Sequence, residues 1–210
     1  MDVLQYPWLQ DPRYLSAIAS GIVALILFFI WLRYRSKHRY ERQLRKQVKK
    51  LAVDFKRDVY LPDGLGESVF IEYLVLSHYG ILVLNVQNYP GILFGGDNVD
   101  LWTQVDNHKS YKFDNPLPYN EICITAVKQL APGCQINGQV VFTHAGEFPK
   151  GKPDGVSLTS ELSQYVESLE HLNVIPDSLQ TAWESICLIA NHSGERNSVL
   201  TENASLSTRH

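Results

Sequence analysis

A hairpin pattern near the middle of the chain limits the fold more than any other feature of this sequence. Residues 69–77 and 81–86 are two apolar runs, rich in β-branched and aromatic residues, that flank a short turn at Tyr79-Gly80. Runs of this composition joined by a glycine-containing turn are typical of a β-hairpin buried in a core. A third run, Gly91–Phe94, follows Tyr89-Pro90 and predicts that the sheet continues.

Three polar residues, Glu72, Asn85 and Gln87, interrupt these apolar strands. Asn85 and Gln87 are two residues apart, so their side chains point to the same face of the sheet. If His78 faces Ile81 across the turn, Glu72 lies opposite Gln87 and all three side chains share that face. Burying a carboxylate beside two amides is unfavourable unless each finds a partner, which makes this face a candidate site. A solvent-facing edge of the sheet explains the pattern equally well.

Size and composition indicate one folded domain with additional segments. The chain has 210 residues, is 45% hydrophobic and carries a net charge of −3, so its overall charge gives no argument for nucleic-acid binding. Its cysteines, Cys123, Cys134 and Cys187, lack the spacing of metal ligands. We therefore expect reduced thiols in a cytosolic compartment.

An uncharged apolar run follows a short N-terminal segment, residues 1–14. Leu15–Leu32 contains about 18 residues without a charge, which predicts a transmembrane helix over residues 15–33. The preceding segment is not basic and no small-residue cleavage site follows the run. These features favour an uncleaved, single-pass membrane anchor over a signal peptide.

A basic segment, residues 34–52, comes directly after the apolar run and predicts a helix that continues from it. Positive charge on this side predicts that the N-terminus is outside and that the following domain is cytoplasmic, as in a bacterial-type inner membrane. The charges are explained by topology and contact with anionic lipid. They also form a strip that attracts nucleic-acid phosphates. The residues expected to bind nucleic acid are Arg42, Arg45, Lys46, Lys49 and Lys50.

The rest of the chain predicts a globular α/β domain over residues 53–175. Residues 121–130 fit a helix with Ile122, Ala126 and Leu130 facing inward. A short strand over 139–143 and a helix over 161–169 follow, and a C-terminal helix is predicted over 176–190. Residues 191–210 are polar and predicted to be disordered. Strands followed by helix, strand and helix predict a mixed β-sheet flanked by helices.

Three short strings in this domain are Tyr79-Gly80-Ile81-Leu82-Val83, Asn88-Tyr89-Pro90-Gly91-Ile92, and Asn115-Pro116-Leu117 with Asn120. Together they resemble the nuclease-related domain family, NERD, and the resemblance covers about Asp54 to Leu172. Gly95, Trp102 and the Val140-Val141-Phe142 strand also match the family pattern. The resemblance implies a restriction-endonuclease-like fold of the PD-(D/E)xK type.

The resemblance also implies a metal site that this chain has altered. The family holds Mg²⁺ between an Asp and a Glu on neighbouring strands, with a Lys nearby that helps the attacking water. Glu72 stands where the family has Asp and could still bind the metal, but Asn85 replaces the Glu and Gln87 the Lys. Pro118-Tyr119 lies where the family has a Gln. A degenerate site is therefore expected, with no cofactor, or with Mg²⁺ only if activity survives.

Three functions remain open at this stage. The first is a membrane-anchored, catalytically degenerate domain that binds nucleic acid or a protein partner. The second is an active Mg²⁺-dependent DNA endonuclease in which Glu67 or Asp97 joins Glu72 in a rearranged metal site. The third is a scaffold whose polar triplet is satisfied internally.

Overall fold

The structure is a computed structural model that describes residues 12–143 and 146–190, without the side chains of residues 12–20, 30 and 32–38. The chain forms two compact units, Met1–Arg42 and Gln43–His210. Most of the predicted N-terminal segment, residues 1–14, lies outside the described residues. The whole of the predicted C-terminal tail, residues 191–210, also lies outside them. The folded domain belongs to the second unit.

Helix α1 covers Pro12–Leu51 and includes the apolar run and the basic segment. Among the residues that the structure describes, no helix has the length and apolar character needed to cross a membrane. The transmembrane helix predicted over residues 15–33 is therefore wrong.

The second unit contains nine described strands in two sheets. In chain order the strands are β1 (Ala52–Pro62), β2 (Ser68–Ser77), β3 (Gly80–Gln87), β4 (Gly91–Phe94), β5 (Leu101–Asp106), β6 (Lys109–Asp114), β7 (Ile136–Phe142), β8 (Gly146–Glu147) and β9 (Val156–Leu158). The first sheet has the order β1-β2-β3-β7-β9 and the second the order β6-β5-β4-β8. β1, β2 and β3 are antiparallel, whereas β7 and β9 run parallel to β3.

The run at Gly91–Phe94 forms a strand, but in the second sheet rather than in continuation of the hairpin. The pairing of β3 ends at Gln87, and Pro90, which lacks a backbone N–H, lies directly before the next strand. Gly91 then has φ +88, a left-handed conformation that favours glycine. The chain turns there and starts a separate sheet.

Helix α2 covers Pro116–Leu130 and begins earlier than the predicted residue 121. Asn115 caps it by accepting a hydrogen bond from the Leu117 N–H, and proline suits the first helical position. Its buried face includes Asn120, Cys123 and Val127. Ile122, predicted to face inward, is 50% exposed because it lies off this face.

Two further helices complete the domain. Helix α3 covers Leu162–Glu167, shorter than the predicted 161–169. Helix α4 runs over residues 177–190, where the described part of the chain ends. Its buried residues Leu179, Trp183 and Ile186 recur at helical spacing.

Helices cover both faces of the first sheet. On one face, α2 and α4 pack against Leu74, Ile81 and Val83. On the other face, Leu44 and Val48 at the end of α1 join α3 in packing against Leu82 and Leu84. A third cluster around Trp102, Phe142 and Val156 attaches the second sheet to the first. The alternation of Ile81 to Leu84 between the two clusters follows from strand geometry.

Candidate active site

The hairpin register places Glu72 and Asn85 beside each other. Tyr73 pairs with Leu84 and Ser77 with Gly80, so Glu72 lies next to Asn85 rather than opposite Gln87 as predicted. The prediction assumed that Tyr79 and Gly80 form the turn, whereas Gly80 already pairs across it. The register differs by two residues, which leaves every side chain on its predicted face.

The two strands separate directly beyond this point. The pairing of β2 with β3 ends at Tyr73 and Leu84, while β3 continues beside β7 as far as Gln87 and Phe142. The N–H and carbonyl of Phe70, which lack a partner on β3, instead bond the hydroxyl of Tyr119 on α2 at 2.8 and 3.1 Å. A gap between two central strands, covered by α2, therefore forms the candidate site.

Glu72 is a half-buried carboxylate at the point of separation. Burial raises its pKa above the usual value for glutamate, and the nearby charge of Asp58 adds to this. Hydrogen bonds from the backbone N–H groups of Glu72 and Val86 oppose the rise. One carboxylate oxygen, Oε2, has no hydrogen-bond partner among the described residues. The protonated, neutral form of Glu72 is therefore more favoured in this site than it is in water.

Asn85 is 2% exposed and connects β3 to α2. Its amide nitrogen donates to the Cys123 sulfur at 3.5 Å, and the thiol donates to the Phe70 carbonyl at 3.6 Å. Burial raises the pKa of Cys123, although hydrogen bonds from Asn85 and Tyr119 oppose this rise. The thiol therefore stays protonated at neutral pH and serves as a donor in this network.

Three acceptor oxygens in this region lack partners within the described part of the chain. They are Glu72 Oε2, Asn85 Oδ1 and Asn120 Oδ1. Asn120 is also 2% exposed and lies one turn before Cys123 on the same face of α2. Buried acceptors are normally satisfied, so this region favours a donor such as a proton on Glu72, a water molecule or a cation.

Gln87 does not join this cluster. It is half-buried at the end of β3, where its carbonyl accepts the Thr143 N–H at 3.0 Å. Two residues of strand separate it from Asn85, about 7 Å along the sheet. The structure thus brings together Glu72 and Asn85, while Gln87 faces the same side farther along.

The predicted nucleic-acid-binding residues lie elsewhere. Arg45, Lys46, Lys49 and Lys50 are exposed on the part of α1 that belongs to the second unit, and Arg42 belongs to the first unit. Leu44 and Val48 place this helix on the sheet face that carries Leu82 and Leu84, whereas Asn85 contacts α2 on the other face. The basic residues of the second unit and the acceptor cluster are therefore on opposite faces of the first sheet.

Metal ligands are scarce at the candidate site. Across residues 12–143 and 146–190, no group of three or more His, Cys, Asp or Glu side chains could hold a metal ion. The carboxylate whose charge acts on Glu72 is Asp58, on β1 with φ +53. Glu67 instead lies in the turn before β2, bonded through its N–H to Asp63, and Asp97 accepts from Asn115 through its carbonyl.

Sequence reasoning missed Asp58, Tyr119, Asn120 and Cys123 as members of this site. Tyr119 was recognised only as a departure from the family pattern, and Asn120 only as part of it. The spacing of 119, 120 and 123 indicates one helical face once the helix start is placed at Pro116. Asp58 lies opposite Glu72 because β1 pairs with β2 through Arg57–Tyr73 and Val59–Ile71, a register that the sequence does not mark.

Comparison with known proteins identifies the family of this chain. A family profile described as the nuclease-related domain, NERD, matches residues 36–143, just over half of the chain. The chain is also 31% identical over 131 residues to an uncharacterized protein of Bacillus anthracis, a match that covers 58% of this chain and 59% of that relative. No solved structure matches. The chain therefore belongs to the nuclease-related domain family.

Proposed function

We propose that this chain is a nuclease-related domain that binds nucleic acid and has lost metal-dependent cleavage. The observation that carries the proposal is Asn85, a neutral amide buried beside Glu72 where the family's second acidic ligand is expected. Catalysis in this fold needs Mg²⁺ held close to the scissile phosphate. The proposal therefore depends first on how well this site can hold a cation.

The remaining ligands form a weak magnesium site. Mg²⁺ prefers charged carboxylate oxygens in octahedral geometry and gives up its water reluctantly. Glu72 offers one carboxylate, whose raised pKa opposes the charged form, and Asn85 adds only a neutral carbonyl. Gln87 brings no cation to orient or activate water. Each replacement keeps a polar group and removes the charge that cleavage requires.

Nucleic-acid binding is supported by the exposed cations of α1. Leu44 and Val48 are almost fully buried and fix this part of the helix on the sheet. Its other side presents Arg45, Lys46, Lys49 and Lys50 to solvent. Several cations on one short helical segment attract phosphates without reading sequence, and their effect decreases as salt is added.

A plasmid-nicking assay tests the loss of cleavage. The full chain would be incubated with supercoiled DNA and Mg²⁺ or Mn²⁺, beside Glu72→Ala and the exposed control Glu67→Ala. We expect all three proteins to bind DNA and none to nick it above the level of buffer. Metal-dependent nicking that disappears in Glu72→Ala and persists in Glu67→Ala would show that the enzyme is active.

An active metal-dependent endonuclease is the second candidate, and the charge of Asp58 beside Glu72 favours it. Asp58 and Glu72 would then supply the two carboxylates, in place of Glu67 or Asp97. This candidate predicts nicking that is lost in Asp58→Asn as well as in Glu72→Ala. Cleavage unaffected by Asp58→Asn would remove this particular metal site.

A further inference from the structure

An open polar cavity of about 310 Å³ lies beside α3, on the face of the first sheet away from the acceptor cluster. All its lining side chains are polar: Lys152, Ser157, Glu161, Gln164, Tyr165 and Ser168. Ser157, 4% exposed, is the most buried of them and forms the floor. The volume is at the lower end of the roughly 300–1,000 Å³ typical of small-molecule sites.

Hydrogen bonds within the protein leave specific groups available in this cavity. The Ser157 hydroxyl accepts from Gln139 at 2.7 Å, which leaves its own hydrogen free to donate. The Tyr165 hydroxyl donates to the Gly138 carbonyl at 3.3 Å, and this bond fixes the ring. The Gln164 side chain makes no hydrogen bond within the described residues and offers both an acceptor and a donor.

The charges in the cavity cancel. Lys152 contacts Glu161, which also accepts the Leu158 N–H at 3.0 Å. Burial tends to raise the pKa of Glu161, but its hydrogen bonds to Lys152 and Leu158 and the charge of Lys152 together bring it below the usual value. The carboxylate is therefore ionised and paired at neutral pH. A site of this kind suits an uncharged ligand with several hydrogen-bonding groups.

The cavity is also adjacent to the basic part of α1. Ser163 on α3 donates to Gln47 on α1 at 2.7 Å, between the exposed Lys46 and Lys50. Gln164 and Tyr165, the next residues of α3, line the cavity. The basic part of α1 and the cavity therefore lie on the same face of the first sheet, joined through the Ser163–Gln47 bond.

We propose that this cavity binds a nucleobase. The inference builds on the proposed nucleic-acid binding. A base is uncharged and planar, and its edge can bond the Gln164 amide and the Ser157 hydroxyl. The Tyr165 ring supplies the aromatic surface that unstacked bases commonly contact. Bases inside a duplex are not accessible, so the expected substrate is single-stranded nucleic acid, or a free nucleoside of the same chemistry.

Binding of single strands to the full chain tests this inference. Labelled homopolymer strands of each base would be compared, by fluorescence anisotropy, with an abasic strand of equal length and phosphate number. At least one base should improve the affinity about tenfold over the abasic strand, the size expected for one stacked and hydrogen-bonded base. The four free nucleosides, tested by calorimetry, separate capture of a nucleoside from capture of a strand.

Variants assign the effect to the cavity. Gln164→Ala and Ser157→Ala should reduce the ratio between base-bearing and abasic strands towards one, while weak binding through phosphates remains. Gln180→Ala removes an exposed glutamine from α4 and should leave the ratio unchanged. Equal affinity for all strands, together with no nucleoside binding, would overturn the inference. Absence of binding to every strand would instead contradict the proposed function. In that case nucleoside binding that is lost in Gln164→Ala would support the cavity, and no nucleoside binding would overturn it.

Discussion

The amide of Asn85 donates to the thiol of Cys123 at 3.5 Å, which links the centre of the first sheet to α2. The other end of the same side chain, Oδ1, is buried without a hydrogen-bond partner among the described residues. One side chain therefore both stabilises the packing of α2 and leaves an unsatisfied polar atom. A residue selected only for packing would not need this atom.

Replacing Asn85 with leucine measures the effect of that atom on stability. An unsatisfied buried acceptor lowers the free energy of unfolding by about 1–3 kcal/mol. The weak hydrogen bond from Asn85 to the Cys123 sulfur raises it by less than that. Asn85→Leu is similar in size and should raise the free energy of unfolding by about 1 kcal/mol. Urea unfolding monitored by circular dichroism would measure the change.

Asn137→Leu is the matched control. Asn137 is half-buried on the neighbouring β7, but its amide donates to the Tyr79 carbonyl at 3.2 Å. Loss of this satisfied bond should lower the free energy of unfolding by about 1 kcal/mol. A decrease in Asn85→Leu as large as that of the control would mean that Oδ1 has a partner in solution.

The raised pKa of Glu72 predicts a pH-dependent stability. The folded state binds the proton more tightly than the unfolded chain, whose pKa is near the ordinary value of 4.5. The contribution of Glu72 to the free energy of unfolding is therefore greatest below pH 4.5. It decreases as the pH rises through the pKa of the folded state, and above that pKa it no longer changes. Glu72→Gln stays neutral and should lack this decrease.

Unfolding of the wild type and Glu72→Gln across a pH series tests the sign. The variant should gain stability relative to the wild type as the pH rises above 4.5. Glu67→Gln, at an exposed turn position, is the control variant, and its stability should stay close to that of the wild type. A stability difference that shrinks with rising pH would contradict the burial of Glu72.

The sequence pattern predicted which face of the sheet each side chain occupies better than it predicted which residues pair across strands. Alternation along β3 placed Asn85 and Gln87 on one face, because the period of a strand is independent of its neighbours. The exact pairing of Glu72 was missed because it depends on which residues form the turn. Asp58 and Cys123 could not be assigned, since their positions at the site depend on the register of β1 against β2 and on the packing of α2 against the sheet.

The exposed cations of α1 should control the salt dependence of nucleic-acid binding. Each phosphate contact adds about 0.7–0.9 to the steepness with which log K falls against log salt. Removing four cations should therefore make this slope shallower by about 3. The variant combines Arg45→Gln, Lys46→Gln, Lys49→Gln and Lys50→Gln. Anisotropy titrations at several salt concentrations would measure both the affinity and the slope.

A second basic pair provides the control for this experiment. Lys109 and Lys112 are exposed on β6, in the second sheet. Lys109→Gln with Lys112→Gln should leave affinity and slope close to those of the wild type. If this pair decreased the slope as much per charge as the α1 variant, binding would follow the overall charge and not one helical surface.

The Gly95–Trp102 contact predicts a stability effect remote from the candidate site. A Cβ atom at Gly95 would overlap the indole ring of Trp102, which is fully buried against Phe142 and Phe113. Since neither ring nor backbone can move without disturbing this cluster, Gly95→Ala should lower the free energy of unfolding by about 1–3 kcal/mol. At the adjacent Gly96 the nearest atom to a Cβ would be a Val99 methyl at 3.7 Å, so Gly96→Ala should have little effect. Equal midpoints for the two variants in urea would contradict this packing of the second sheet.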